Sequence, residues 1–465
     1  MNLILPDTFW PFLLSFQTCF GAPSFRNFCA IVTGWVHCLG RHTITAVALA
    51  SGDLSRRHIS AFHRFFAHAQ WALDGLGLVL FHVAESWVPA DQRLVVIVDD
   101  TLARKTGKCI SLGSMHHDPL QSSAHKPFTS FGHVWVVLAL WVPLPLNRQR
   151  GFALPVLFRL YTGSKRGGQR DAPSRPSTSR RLAAAQRAAA LTPHHTKLEL
   201  ARELIGLVAS WAPARQVLVL VDSAYAGRTI LEQRPANVHV CSRLRMDAAL
   251  WTPPRPRRAG QNGRPRRRGE RLPTPVAWVS ARRHWHRLTL PLYGRQVTTQ
   301  VFQKTAMWYK ALREHPVRIA LVRDPSGHRR DEAFFCTDVN ASAAFMLTAY
   351  AHRWTLEVAF RDGKQHLGFE DPQQQLPSAV RRTAPMAFIV YDLVLLWAAT
   401  CAHVGHPPRW VERSWYRRKT EPSFADLLTG LRQQAWRSRV FDPPSRPRRG
   451  QNPSPAWDLA VLSTA

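Results

Sequence analysis

Two short runs of unbroken apolar residues each stop at an aspartate, and they constrain the fold more than any other feature of this chain. The first is Leu94-Val95-Val96-Ile97-Val98, followed by Asp99-Asp100-Thr101; the second is Val217 to Val221, followed by Asp222. A run without polar alternation, rich in β-branched side chains, reads as a strand buried on both faces. Strands of that kind need helices on either side of their sheet, so the chain reads as α/β.

The neighbouring segments extend this pattern. His133 to Leu144 and Phe152 to Tyr161 are further apolar runs. Thr196 to Trp211 has helical spacing at Leu200, Leu204, Ile205 and Val208, Tyr225 to Arg234 reads as a helix, and Val238 to Cys241 as a short strand. The order is three strands, a helix, a strand, a helix and a strand. It resembles an RNase H-like core, a mixed sheet flanked by helices.

Five regions follow. Residues 1–90 read as a helical N-terminal DNA-binding domain, with Ile44 to Ala50, a Gly52-Asp53 turn and Ser55 to Phe66 either as a helix-turn-helix or as an ordinary helical hairpin with a solvated basic face. Residues 91–250 hold the first part of the core. Residues 251–340 read as an inserted basic, β-rich subdomain, and 341–436 as the second part of the core, with one long helix over Ala341 to His366 and an apolar covering helix over Thr383 to His403. Residues 437–465, rich in Pro and Arg, read as a flexible basic tail.

Charge narrows the function. The 465 residues carry 62 Lys and Arg against 30 Asp and Glu, a formal net charge of +32. A folded chain this basic calls for a polyanionic partner, and nucleic acid gains from the release of counterions at every phosphate contact. The Arg- and Pro-rich stretches Lys165 to Arg181, Arg255 to Arg271 and Ser438 to Arg449 read either as backbone clamps on DNA or as solvated linkers. Seven scattered cysteines without a C-x-x-C pair fit free thiols in a reducing cytoplasm. Met1 to Phe20 lacks a basic n-region and is not read as a signal peptide. Ala387 to Thr400 is too short for a bilayer and contains Asp392, so it reads as a buried helix and no membrane partner is expected. His116-His117 and His194-His195 lack zinc spacing with any Cys, and no P-loop is present.

Chemistry gathers in Tyr350 to Lys364. Tyr350, Arg353, Glu357 and Lys364 are separated by three, four and seven residues, which puts all four on one helical face. Trp354, Leu356 and Phe360 then line the opposite, core face. Phosphodiester cleavage needs an activated water and charge relief at phosphorus, which two divalent ions about 4 Å apart supply. Hard cations want oxygen ligands, and Asp100, Asp222 and Glu357 offer carboxylates. On each residue alone the structural alternatives stay open: an N-cap or turn for either Asp, a surface ion-pair ladder for Glu357 with Arg353 and Arg361.

The segment Tyr350-x-x-Arg353-x-x-x-Glu357-x-x-x-x-x-x-Lys364 resembles the Y-R-E-K signature of bacterial insertion-sequence DDE transposases. Asp99-Asp100-Thr101 and Asp222-Ser223-Ala224-Tyr225 resemble that family's first and second aspartate blocks, and Phe131-Gly132-His133-Val134-Trp135 its second strand in one subgroup. The resemblance covers about residues 90–405.

It implies a DNA transposase that binds insertion-sequence ends, cleaves with metal-activated water and transfers the 3′-hydroxyl to target DNA. It implies Asp100, Asp222 and Glu357 as catalytic ligands of two Mg²⁺ (or Mn²⁺) ions per active site, and Tyr350, Arg353 and Lys364 as contacts to the end phosphates. Because Asp99 and Asp100 are adjacent, only one enters the site, and the family's Asp-Thr step favours Asp100. A tryptophan of the insert, Trp278, Trp285 or Trp308, is a candidate to stack on an extruded base. The partners implied are transposon-end and target DNA and a second copy of the chain on that DNA, in a cytoplasmic, nucleoid-associated setting. The alternatives are a catalytically silent DNA-binding derivative and an RNase H-like nuclease without strand transfer.

Overall fold

A computed structural model describes residues 5–107, 109–123, 125–147, 150–163, 194–256, 264–408, 419 and 421–441. Its organising element is β1 (Leu94–Arg104), which outruns the apolar stretch that announced it. On one side β1 pairs antiparallel with β3 (Thr129–Val142) from Val95↔Trp141 to Arg104↔Gly132. On the other it pairs parallel with β5 (Val217–Val221) only as far as Val98↔Val221. Asp99 and Asp100 therefore lie inside β1 and not at its end, as the sequence had suggested. They sit at the point where β5 leaves and the sheet opens.

The outer side of β3 carries β2 (Ser114–His117) on one half and β4 (Phe152–Tyr161) on the other. The crossover from β4 to β5 includes the helix Lys197–Trp211, opened by a capping box between Thr196 and Glu199. β6 (Val238–Leu244) follows in parallel beside β5. Between them only Arg228–Leu231 is helical, shorter than the expected Tyr225 to Arg234, because the chain first spends Asp222 to Gly227 in tight turns. The result is a large mixed sheet flanked by helices, compatible with an RNase H-like core.

The insertion is β-rich, and its strands continue the core sheet. β7 (His286–Leu292), β8 (Arg295–Met307), β9 (Pro316–Arg323) and β10 (Glu332–Cys336) form a meander, and β10 pairs antiparallel with β6. The outer edge of β6 would otherwise present unpaired backbone groups, and the insertion satisfies them. Among the described residues the sheet has ten strands, with β1, β5 and β6 as its parallel centre.

The long helix expected over 341–366 is two helices, Ala343–Ala351 and Trp354–Leu367. Between them the backbone keeps right-handed helical angles, yet its hydrogen bonds tighten to three residues: Arg353 N–H to Tyr350 O, Thr355 N–H to His352 O, Leu356 N–H to Arg353 O. His352 fills this joint, its ring stacked on Trp141 at 3.9 Å. The second helix lies close to the apolar helix Pro385–His403; a Cβ on Gly363 would stand 2.6 Å from the Phe388 ring. Gly368 ends it in the left-handed conformation, with Phe369 N–H bonded back to Gly363 O.

The N-terminal helices Ala22–His37, Ile44–Ala50, Ser60–Ala67 and Leu73–Glu85 share one hydrophobic core with the sheet. The Trp35 indole donates to Leu367 O, and the Arg382 guanidinium to the carbonyls of Phe66, Ala69 and Trp71. The second helix of the expected helix-turn-helix starts only at Ser60; Arg57 lies ahead of it, bound to Asp53 and Asn27. Pro377–His403 is apolar and long enough to cross a membrane by composition, and 94% of its most apolar window is buried inside the protein. The stretch Lys165 to Arg181, residues 257–263 of the second Arg-rich stretch and the tail beyond 441 lie outside the described residues.

Candidate active site where the sheet opens

Successive side chains on a strand point to opposite faces, so β1 presents Asp99 and Asp100 to different neighbours. Asp99 Oδ2 accepts from Arg353 Nη1 at 2.7 Å, and Arg353 Nη2 donates to Glu357 Oε1, also at 2.7 Å. One guanidinium thus bridges a carboxylate of β1 and a carboxylate of the Trp354–Leu367 helix. The tightened joint puts Arg353 just ahead of that helix, four residues from Glu357.

Burial pushes the Asp99 carboxyl up to about 6; Arg353 and the Asp100 N–H pull it down, and the Asp100 and Glu357 charges push it up again. Burial works against the charge of Arg353, and Asp99, Tyr350, Glu357 and Asp222 more than offset it, so its pKa is raised. Asp222 is among the charges that raise it. In register Asp222 follows Val221 as Asp99 follows Val98, one step past the last β1–β5 pairing. The Asp222 carbonyl accepts from Tyr225 N–H at 2.9 Å. Its carboxylate has no protein partner among the described residues.

Asp100 is held elsewhere. Its Oδ2 accepts from Lys197 Nζ at 2.7 Å and its Oδ1 from the Tyr225 hydroxyl at 2.6 Å. Neither partner was singled out from sequence. Lys197 carried a signal, because a cation in the first turn of a helix opposes the helix dipole and needs a compensating anion.

The remaining signature residues are less open than a shared helical face implies. Tyr350 is only 6% exposed and packs edge-on against Phe334, and burial pushes its hydroxyl up to about 12. Lys364 Nζ donates to Leu102 O at 2.7 Å and lies 3.5 Å from Glu370, tying the helix to β1. Leu356 and Phe360 are buried as expected, but Trp354 is 56% exposed, because the break at Arg353 turns it away from the core. In the insert, Trp278, Trp285 and Trp308 are partly buried, Trp285 beneath Arg323 and Trp308 against Phe335. Among the described residues, no three His, Cys, Asp or Glu side chains stand together as a metal-holding group. Asp99 and Glu357 are joined instead through the Arg353 guanidinium.

Residues 15–306 match the model of a family described as DDE superfamily endonuclease. The chain belongs to that family. No curated protein matches it. The matched span contains Asp99, Asp100 and Asp222 and ends before Tyr350, Arg353, Glu357 and Lys364. A DDE endonuclease is a nuclease- or transposase-type enzyme with DNA as its substrate, and its superfamily generally uses divalent metals.

Proposed function

We propose that this DDE endonuclease is a DNA transposase that binds insertion-sequence ends, cleaves them and joins the freed 3′-hydroxyl to target DNA. The observation that carries the reading is the Arg353 guanidinium held between Asp99 of β1 and Glu357 of the Trp354–Leu367 helix, with Asp222 one residue past the point where β5 parts from β1. Carboxylates are the donors that Mg²⁺ or Mn²⁺ prefers, and Asp99, Glu357 and Asp222 would supply them once Arg353 leaves the first two. Divalent ions there would relieve charge on the phosphate and acidify the attacking water.

The chain's own residues do the rest. Arg353, released from Asp99 and Glu357, offers a planar fork to a phosphate of the DNA end. Lys364 and Tyr350, expected from sequence to touch phosphates, act as supports that fix the helix against β1 and β10. The first ligand is Asp99 in this reading, because Asp99 and not Asp100 shares Arg353 with Glu357. Asp100 is the second reading, favoured by the Asp-Thr step of the motif. Pairing two ends calls for a second copy on the DNA, in the nucleoid of a cytoplasm.

The test is a linear duplex carrying the DNA that flanks the gene on both sides, incubated with the full chain and Mg²⁺. Mg²⁺-dependent nicks in that flanking DNA together with end-joined target products support transposition. Cutting without joined product leaves a nuclease, and binding without cutting leaves a silent DNA-binding derivative.

A further inference from the structure

Asp222 stands at the first position after the chain leaves the sheet, so something outside the ladder must fix its turn. Val221 makes the last β5 pairing, with Val98 of β1 and Ser242 of β6. The turn Asp222-Ser223-Ala224-Tyr225 closes on itself through Tyr225 N–H to Asp222 O. Among the described residues, the Tyr225 hydroxyl makes the one side-chain hydrogen bond from this turn to β1, to Asp100 Oδ1 at 2.6 Å. The ring is 3% exposed, which leaves the bond little room to open.

The acceptor is itself fixed. Lys197 Nζ holds Asp100 Oδ2 at 2.7 Å, and the ammonium lies 5.7 Å above the Tyr161 ring. Thr196 and Glu199 cap the helix that Lys197 begins: Thr196 N–H donates to Glu199 Oε2 at 2.7 Å and Glu199 N–H returns to Thr196 Oγ1. A chain of bonds therefore runs from a capped helix through Asp100 and Tyr225 to the turn that carries Asp222.

We propose that Tyr225 is a positioning residue whose bond to Asp100, braced by Lys197, sets the distance between Asp222 and the Asp99–Glu357 pair. The proposal rests on the reading of those three carboxylates as a divalent-ion site. It gives Asp100 a role that needs no contact with metal: its carboxylate orients a side chain that orients a ligand. Groups that orient ligands change metal affinity by about ten- to a hundredfold when removed.

The experiment titrates Mn²⁺ alone into the full chain, without DNA, and follows free Mn²⁺ by its electron paramagnetic resonance signal. Tyr225→Phe deletes one oxygen and keeps the ring, so its melting temperature should stay near that of the wild type. Its Mn²⁺ affinity should fall about ten- to a hundredfold. Lys197→Met, which leaves the hydroxyl bond in place and removes only the brace, should fall by less. Asp222→Asn should lose more than either. Unchanged Mn²⁺ binding in Tyr225→Phe overturns the proposal. Asp100→Asn as deficient as Asp222→Asn also overturns it, because Asp100 would then be a ligand. A wild-type chain that takes up no Mn²⁺ sinks the metal reading itself, a result distinct from wild-type uptake that Tyr225→Phe leaves untouched.

Discussion

Arg353 donates to Asp99 at 2.7 Å although 254 residues separate them in sequence. The same guanidinium holds Glu357, so one cation keeps two partly buried carboxylates together. Without it their mutual repulsion stands unopposed, and a divalent cation gains by replacing it. Arg353→Ala is therefore expected to bind Mn²⁺ about tenfold more tightly in the absence of DNA, and to cleave DNA far more slowly for want of its phosphate contact. Calorimetric titration paired with a cleavage assay measures both. Weaker Mn²⁺ binding by Arg353→Ala contradicts the counter-ion role.

The two adjacent aspartates are expected to differ in kind. Asp99→Asn, Asp222→Asn and Glu357→Gln each remove a proposed ligand and should cost more than the about hundredfold of an outer-shell change. Asp100→Asn should stay within that about hundredfold limit. Single-turnover cleavage rates at saturating Mg²⁺ compare the four. Equal and total loss in Asp100→Asn with near-normal Asp99→Asn returns the ligand role to Asp100.

The raised Asp99 carboxyl gives a pH dependence. With its pKa at about 6, Asp99 is protonated below that value and unavailable as an oxygen ligand. Cleavage should rise about tenfold per pH unit up to that region and level off above it. Stability runs the other way. Between the ordinary Asp value of 3.8 and about 6 the folded chain holds a proton that the unfolded chain has released, so stability falls as pH rises through that window. Urea denaturation at the two ends of the window, with Asp99→Asn as the variant that flattens the difference, checks the sign.

Lys364 is expected to act through the fold. Its ammonium donates to the Leu102 carbonyl, and removing a charged donor to a part-buried acceptor costs about 2 kcal/mol. Lys364→Ala should lower the unfolding free energy read from urea titration by that amount and leave the salt dependence of DNA binding unchanged. A lysine on a phosphate would instead lower the salt slope by about one. A lowered slope with unchanged stability assigns Lys364 to DNA.

Local sequence fixed what depends on neighbours along the chain. The apolar runs at Leu94 to Val98 and Val217 to Val221 could only be buried strands, and both are. The apolar spacing of Thr196 to Trp211 marked a helix, and the net charge together with the aspartate blocks pointed to DNA chemistry. Tertiary structure decided whatever depends on partners far away. β1 extends past Val98 because β3 keeps pairing with it after β5 has gone, so the aspartates lie within a strand. The helix breaks at Arg353, where His352 stacks on Trp141 of another strand, and this exposes Trp354 and buries Tyr350. Arg353 bonds Asp99 while Lys197 and Tyr225 bond Asp100, three partners from three separate elements. Periodicity records which face a residue takes on its own element; it holds no record of which distant cation will meet that face.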